Sequence, residues 1–543
     1  MGCCILKSTR SNYFLRQVLS TLAGVVLASP VAAHGFAQRY DLPVPLWLYL
    51  TGAAATLLLS FVLIALFMRQ SPESSTADPA HPAQDYPRLN LLKVPLLRLL
   101  AAWPLQRLLQ WATSLLFLLV LIAGGWGVQQ PFNNLAPTMV WVIGWVGLAY
   151  LSGLLGNLWL LINPWSNLYL AAQWLLQRVR PQSRSALNLP YPQWLGCWPG
   201  VVLFALFGWL ELIWPQSDQP ASIASVMLGY SLICWLGMAL FGRQTWLQRG
   251  EVFSLFFSLL ARFAPTELRQ NNSALCASCR TQECRNASEG CFDCPSCYRR
   301  ASSDSRQWNV RPPVIGLLTV KPVSFSLCCF VLLMLAIVTF DGFMATPLWA
   351  DIVQWALYAD LIRPLLLALQ PFFDSALTLI SSLGMVLFIL LFIVAYLLFC
   401  LLMRRAADTD TNAQPLRALA GSFVLTLIPI ALAYHLSHYL SYLLIVGQYM
   451  IPLLSDPFGY GWDLFGTGHY FVDIGIINAR TVWITSVTVI VIGHICSIYL
   501  AHRMAQRVFS TARQVLRSQI PMLGLMIGYT MISLWILAQP VVE

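Results

Sequence analysis

The chain has 543 residues, of which 58% are hydrophobic and only 10% charged, with a net charge of +10. That composition excludes a soluble globular domain of this length. It also excludes nucleic acid as the reason for the positive charge, because the charges fall between long apolar stretches instead of collecting on one basic surface.

Residues 1–33 read as a secretory signal peptide. Lys7, Arg10 and Arg16 precede a short apolar core at 18–28, and Val31-Ala32-Ala33 supplies small residues for cleavage. Cleavage after Ala33 leaves His34 at the mature N-terminus; an uncleaved anchor is the alternative. A bilayer crossing takes about 20 apolar residues. On that measure spans are expected near 45–67, 110–127, 139–162, 191–214, 222–241, 325–343, 378–402, 419–446, 481–502 and 520–538. The fold class is therefore an all-α polytopic transmembrane helical bundle of about ten spans. It divides into an N-terminal membrane domain (34–241), a loop (242–322) and a C-terminal membrane domain (323–543).

With the mature N-terminus outside, only Arg39, Arg363 and Arg480 fall in outer segments, and the loop after the fifth span carries eleven Lys and Arg between Arg243 and Lys321. This is a positive-inside distribution. It predicts a multi-pass protein of the bacterial inner membrane with both mature termini periplasmic, embedded in lipid and without nucleic acid. The run 91–111, apolar with Lys93, Arg98 and Arg107, reads as an amphipathic helix on the inner leaflet, and 350–369 as its outer counterpart. Residues 71–86, rich in Pro, Ser, Ala and Asp, read as a linker that includes a solvated His81.

Six cysteines crowd into the 242–322 loop: Cys276, Cys279, Cys284, Cys291, Cys294 and Cys297. On the cytoplasmic side thiolates bind metal rather than form disulfides. Cys-x2-Cys turns aim two sulfurs at one ion, and Cys276-x2-Cys279 with Cys294-x2-Cys297 approximates a zinc-ribbon spacing. Cys291-x2-Cys294-x2-Cys297 instead matches the opening of a ferredoxin motif, although Ala301 stands where the next cysteine would continue it. Zinc is the expected occupant of a small Cys-rich cytoplasmic module, with an iron–sulfur cluster or a metal-free loop as the alternatives.

Ionisable groups inside a membrane are expensive and mark function. His435 and His438 share a helix face, and the loop that follows holds Asp456, Asp463, His469 and Asp473. With His34, whose terminal amine and imidazole form a chelate, they could assemble a second, periplasmic metal site. The bland reading is that the pair only hydrogen-bonds to neighbouring helices and to Ser437, Tyr439, Ser441 and Tyr442. His494 and His502 lie on the ninth span. A haem between His435 and His494 is disfavoured, because the spans set them about 10 Å apart in depth at 1.5 Å per residue. Glu211 and Asp341, near outer helix ends, are candidates for an ion pathway or metal ligation, but the favoured reading is that each sits at the interface with access to water.

The segments HGFAQRYDLPVPLWLYL (34–50), Asn163-Pro164-Trp165, RFAPTE (262–267), TFDGF (339–343) and above all SDPFGYGWDLFGT (455–467) resemble bacterial multi-spanning membrane proteins of the fenitrothion hydrolase-like family. The resemblance runs from His34 to about Arg507 and does not extend to the cysteine cluster. It implies hydrolysis of an organophosphorus triester, by the chain alone or with a partner membrane subunit, and a metal to activate the attacking water. It carries over no catalytic residues. The chain contains no G-x-S-x-G, H-E-x-x-H or P-loop. Two other functions stay open: metal transport or metalloprotein assembly, in which His438 and His494 would line one path, and a structural subunit of a membrane complex.

Overall fold

The computed structural model describes residues 44–67, 86–100, 103–181, 186–277, 279, 291–292, 294–318, 322–360, 362–407 and 415–542. The expected signal peptide, His34, His81 and Cys284 lie outside the described residues.

Among the described residues, ten helices are long and apolar enough to cross a membrane: Leu46–Phe67, Pro104–Trp126, Leu135–Leu155, Gln193–Leu212, Pro220–Phe241, Phe325–Met344, Ala376–Ala406, Leu416–Ser455, Ala479–Val508 and Ala512–Gln539. They are the first to tenth spans, and the protein is an all-α polytopic membrane bundle. Local chemistry sets many of their ends. Ser324, Ser375 and Asn478 cap the sixth, seventh and ninth helices by accepting a backbone N–H three residues on. Gly156 and Gly242, with φ of 108° and 86°, end the third and fifth.

The sixth and eighth spans form the centre, each 83% buried along its most apolar stretch, whereas the first and seventh are only 11% and 17% buried. Peripheral helices turn Leu58, Leu59, Leu387 and Leu391 outward, as a surface solvated by acyl chains requires. The eighth and ninth spans pack closely because Gly493 admits Ala433 and Pro429, where a Cβ would stand 2.5 Å from the Ala433 Cβ. Ser437 and Ser486 exchange hydrogen bonds across that contact.

Several segments depart from the sequence reading. The 91–111 run is not one surface helix: a 3₁₀ turn at Leu91–Lys93 and a helix at Pro95–Leu100 precede a helix at Trp103–Trp126 that already belongs to the second span. Pro95 and Pro104 stand at helix starts, where a missing N–H costs nothing. The 350–369 run likewise divides into Pro347–Tyr358 and Arg363–Leu369. Within 242–322, Val252–Ala261 is an almost wholly buried helix packed among the spans. Ten residues reach only about 15 Å, half a bilayer, so a span-length search passes over it.

Elsewhere in that loop, strands β2 (Thr266–Gln270), β3 (Cys291–Phe292) and β4 (Arg306–Val310) join β1 (Leu89–Asn90), which precedes the second span, in a small antiparallel sheet of order β1-β4-β2-β3. Glu267 fixes it. This fully buried carboxylate accepts hydrogen bonds from Tyr86 (2.7 Å), Arg88 (3.0 Å), Asn309 (3.1 Å) and Arg311 (3.3 Å). Removing one partner of a buried ion pair costs about 3–5 kcal/mol, because the other charge stays behind. Glu267→Ala is therefore expected to open the sheet, read as cleavage between residues 262 and 311 at protease levels that leave the wild type intact. Unchanged resistance would show that the network adds nothing.

Candidate functional site

The bundle has a sheet end, where the sixth and eighth spans start, and a loop end, where residues 456–478 join the eighth span to the ninth. Near the loop end the TFDGF segment brings Asp341 into the core. Asp341 Oδ2 lies 2.8 Å from His438 Nε2 and accepts the Tyr439 hydroxyl at 2.7 Å. That hydroxyl also lies 3.5 Å from Glu211 Oε1, while Glu211 Oε2 is buried without a hydrogen-bond partner among the described residues. Gly342 makes the approach possible: a Cβ there would stand 2.8 Å from the Tyr434 hydroxyl and 3.5 Å from His438 Cε1.

Aromatic and polar contacts continue from this cluster toward the sheet end. The His438 ring is stacked 6.0 Å from Tyr434, Tyr434 lies 6.5 Å from Tyr529, and Tyr529 lies 6.0 Å from His494. The Tyr529 hydroxyl is 2.6 Å from Thr339 Oγ1. His494 Nδ1 lies 2.8 Å from the Ile490 carbonyl, so it carries the ring proton, and Nε2 is a bare acceptor without a partner among the described residues. The Tyr434 hydroxyl and the Ser497 and Ser533 hydroxyls are buried in the same condition. His502, two turns further on, sits between Gln519 (3.2 Å) and Gln506 (3.0 Å).

His435 faces away from this column. Its ring packs edge-on against Trp145, 5.5 Å away, and Tyr439, 4.8 Å away, and its Nε2 has no partner among the described residues. Beside it, a cavity of about 10 Å³, enough for one water, lies between Trp145, Phe204, Phe256 and Tyr439. The helices here are irregular. Thr138–Gly147 winds as a π-helix around Trp145, and a 3₁₀ stretch at Val424–Leu427 interrupts the eighth span just before Pro429. Such departures from α geometry recur at functional sites.

The structure separates the residues expected to form a second metal site. Asp463 and His469 are exposed in the 456–478 loop, where Asp463 accepts the Gly468 N–H at 2.8 Å. His435 and His438 are buried in the bundle. Among the described residues, only cysteines place three ligand atoms together. Cys276, Cys291 and Cys297 form one such group and Cys279, Cys294 and Cys297 another, each with sulfurs within 4.8 Å of one another. Cys279 and Cys294 stand 3.8 Å apart, and Gln270 Nε2 donates to Cys276 at 2.7 Å. Hydrogen bonding from Cys291 outweighs burial and pushes the Cys294 thiol well below its ordinary value.

Two other motifs of the sequence prove architectural. In the Asn-Pro-Trp segment, Asn163 caps the helix Pro164–Val179 and donates at 3.0 Å to Glu251, a fully buried carboxylate that in turn caps Val252–Ala261. In SDPFGYGWDLFGT, the Asp456 carboxylate accepts four backbone N–H groups, from Gly459, Tyr460, Gly461 and Trp462. Glu251 was missed because its partners lie far away in sequence; an acid directly before an apolar ten-residue run is the cap signal that could have found it.

Comparison with known protein families, characterised proteins and solved structures finds no match to the chain. The fold and site define a class: a polytopic membrane protein with ten candidate spans among the described residues, a cysteine cluster whose geometry could hold a metal ion, and a buried acid–histidine–tyrosine column. Losing a cap costs about 0.5–2 kcal/mol, and Asp456 serves four donors. Asp456→Ala is expected to lower the melting temperature of the detergent-solubilised protein by several degrees, whereas Asp463→Ala, with one donor to lose, moves it far less.

Proposed function

We propose that this chain is a proton-translocating protein of the bacterial inner membrane, with its loop end periplasmic and its sheet cytoplasmic. One observation supports this reading above the others: the titratable and hydroxyl groups are spread through the depth of the bundle, from Glu211 and Asp341 through His438, Tyr434 and Tyr529 to His494. A hydrolytic centre would gather its groups at one level. Buried carboxylates, imidazoles and phenols pass protons between adjacent lone pairs, and buried acceptors such as His494 Nε2 need a mobile proton or water to be satisfied. In the cysteine module we assign zinc as the structural metal. Ligands 2.3 Å from one tetrahedral ion stand about 3.8 Å apart, the separation of Cys279 and Cys294.

Purified protein in vesicles containing a pH-sensitive dye tests the column, with a potassium diffusion potential set by valinomycin balancing the charge. Wild type is expected to acidify the interior well above empty vesicles, and Asp341→Asn and His494→Leu to lower that rate at least tenfold. Wild-type flux equal to that of empty vesicles would sink the reading.

Hydrolysis of an organophosphorus triester is the second reading, and the Asp341–His438 pair favours it as a general base oriented by a carboxylate. The adjoining cavity, sized for one water, speaks against a bound triester in this conformation. Release of the aryl alcohol from a dialkyl aryl phosphotriester by wild-type vesicles, lost in His438→Ala, would reverse the ranking.

A further inference from the structure

We infer that the cysteine module holds two metal ions bridged by the Cys297 thiolate, a proposal that rests on the zinc reading above. Three observations carry it. First, five described cysteines divide into two groups of three, and Cys297 is the one residue common to both. Second, the division cuts across the sequence pairs. In a single-ion knuckle, the two sulfurs of a Cys-x2-Cys turn converge on one ion. Here Cys276 and Cys279 fall in different groups, and so do Cys291 and Cys294. Third, four of the five are at most 6% exposed, at Cys276, Cys279, Cys291 and Cys297. One tetrahedral ion could take only four thiolates and would leave a net charge of two minus buried beside a spare sulfur. Two divalent ions sharing Cys297 neutralise all but one of five thiolate charges, which is what a buried site favours.

The geometry is that of two tetrahedra meeting at a corner. Cys276, Cys291 and Cys297 would surround the first position and Cys279, Cys294 and Cys297 the second. Gln270 is placed to orient the first. Its Nε2 donates to Cys276 Sγ at 2.7 Å and approaches Cys291 Sγ at 3.6 Å, and its Oε1 accepts the Asn272 N–H at 2.8 Å, which fixes the amide. Donors to a ligating sulfur tune its charge and hold its direction.

The test is a metal count on full-length protein purified in detergent. Mass spectrometry of zinc against quantitative amino-acid analysis is expected to give two ions per chain. Cys276→Ser and Cys279→Ser should each retain one, and Cys297→Ser fewer than one. Because the Cys297 variant may not fold, cobalt(II) titration of the wild type provides a separate readout. The first equivalent should give a paramagnetic resonance signal, and the second should diminish it through coupling across the shared sulfur. One zinc per chain, with an undiminished cobalt signal, overturns the bridged pair but leaves zinc in place. Iron with acid-labile sulfide overturns both.

Discussion

The bond between Asp341 and its two partners, His438 and Tyr439, is the interaction on which the bundle is organised. In hydrocarbon an acidic side chain cannot be left to water, so the sixth span can carry Asp341 only where the eighth presents donors. That requirement fixes the rotation of both central helices. It explains Gly342, which clears space for Tyr434, and it explains why the eighth span is buried along most of its length. The neighbouring helices follow: the ninth closes on the eighth through Gly493, and the tenth brings Tyr529 against Thr339.

The same logic operates outside the spans on a smaller scale. Glu251 and Glu267 are both fully buried carboxylates, and both are surrounded by donors from distant parts of the chain. One joins two helix starts, and the other joins a strand to the segment that follows the first span. Each acid acts as a knot that draws separate segments to one point, and each is costly unless every segment arrives. The architecture is thus held by a few fully solvated charges in which protein donors replace water.

Much of this was legible in the sequence. All ten spans could be read from apolar length alone, because a bilayer imposes one dimension that no packing detail can override. The cysteine cluster was equally plain, as was His438 as an intramembrane ionisable group, but Glu211 and Asp341 read from the sequence as interfacial acids with water access, and only the fold buries Asp341 against His438 and Tyr439. What the sequence could not show was which of them meet. The outer loop's Asp463 and His469 looked like ligands for His435 and His438 because they are close along the chain, yet the loop uses its acids to cap its own backbone. The tyrosines were hidden for a different reason: Tyr434 and Tyr529 are unremarkable until two helices bring their rings to one column. Val252–Ala261 escaped because half a bilayer falls below any span criterion.

The short strand β1 has one more consequence. Leu89 pairs with Val310, and four spans lie between them. A chain returns to its starting side only after an even number of crossings, so the pairing is lost whenever one or three of the four fail to insert. The sheet is thus a parity check on membrane insertion, completed when β4 leaves the ribosome. At about 5–20 residues per second, the segment after the first span waits tens of seconds for its partner. Closing so long a loop adds little entropy cost beyond that of a short one. A misthreaded chain would leave Glu267 without Tyr86 and Arg88, with Asn309 and Arg311 as the donors that stay on its side.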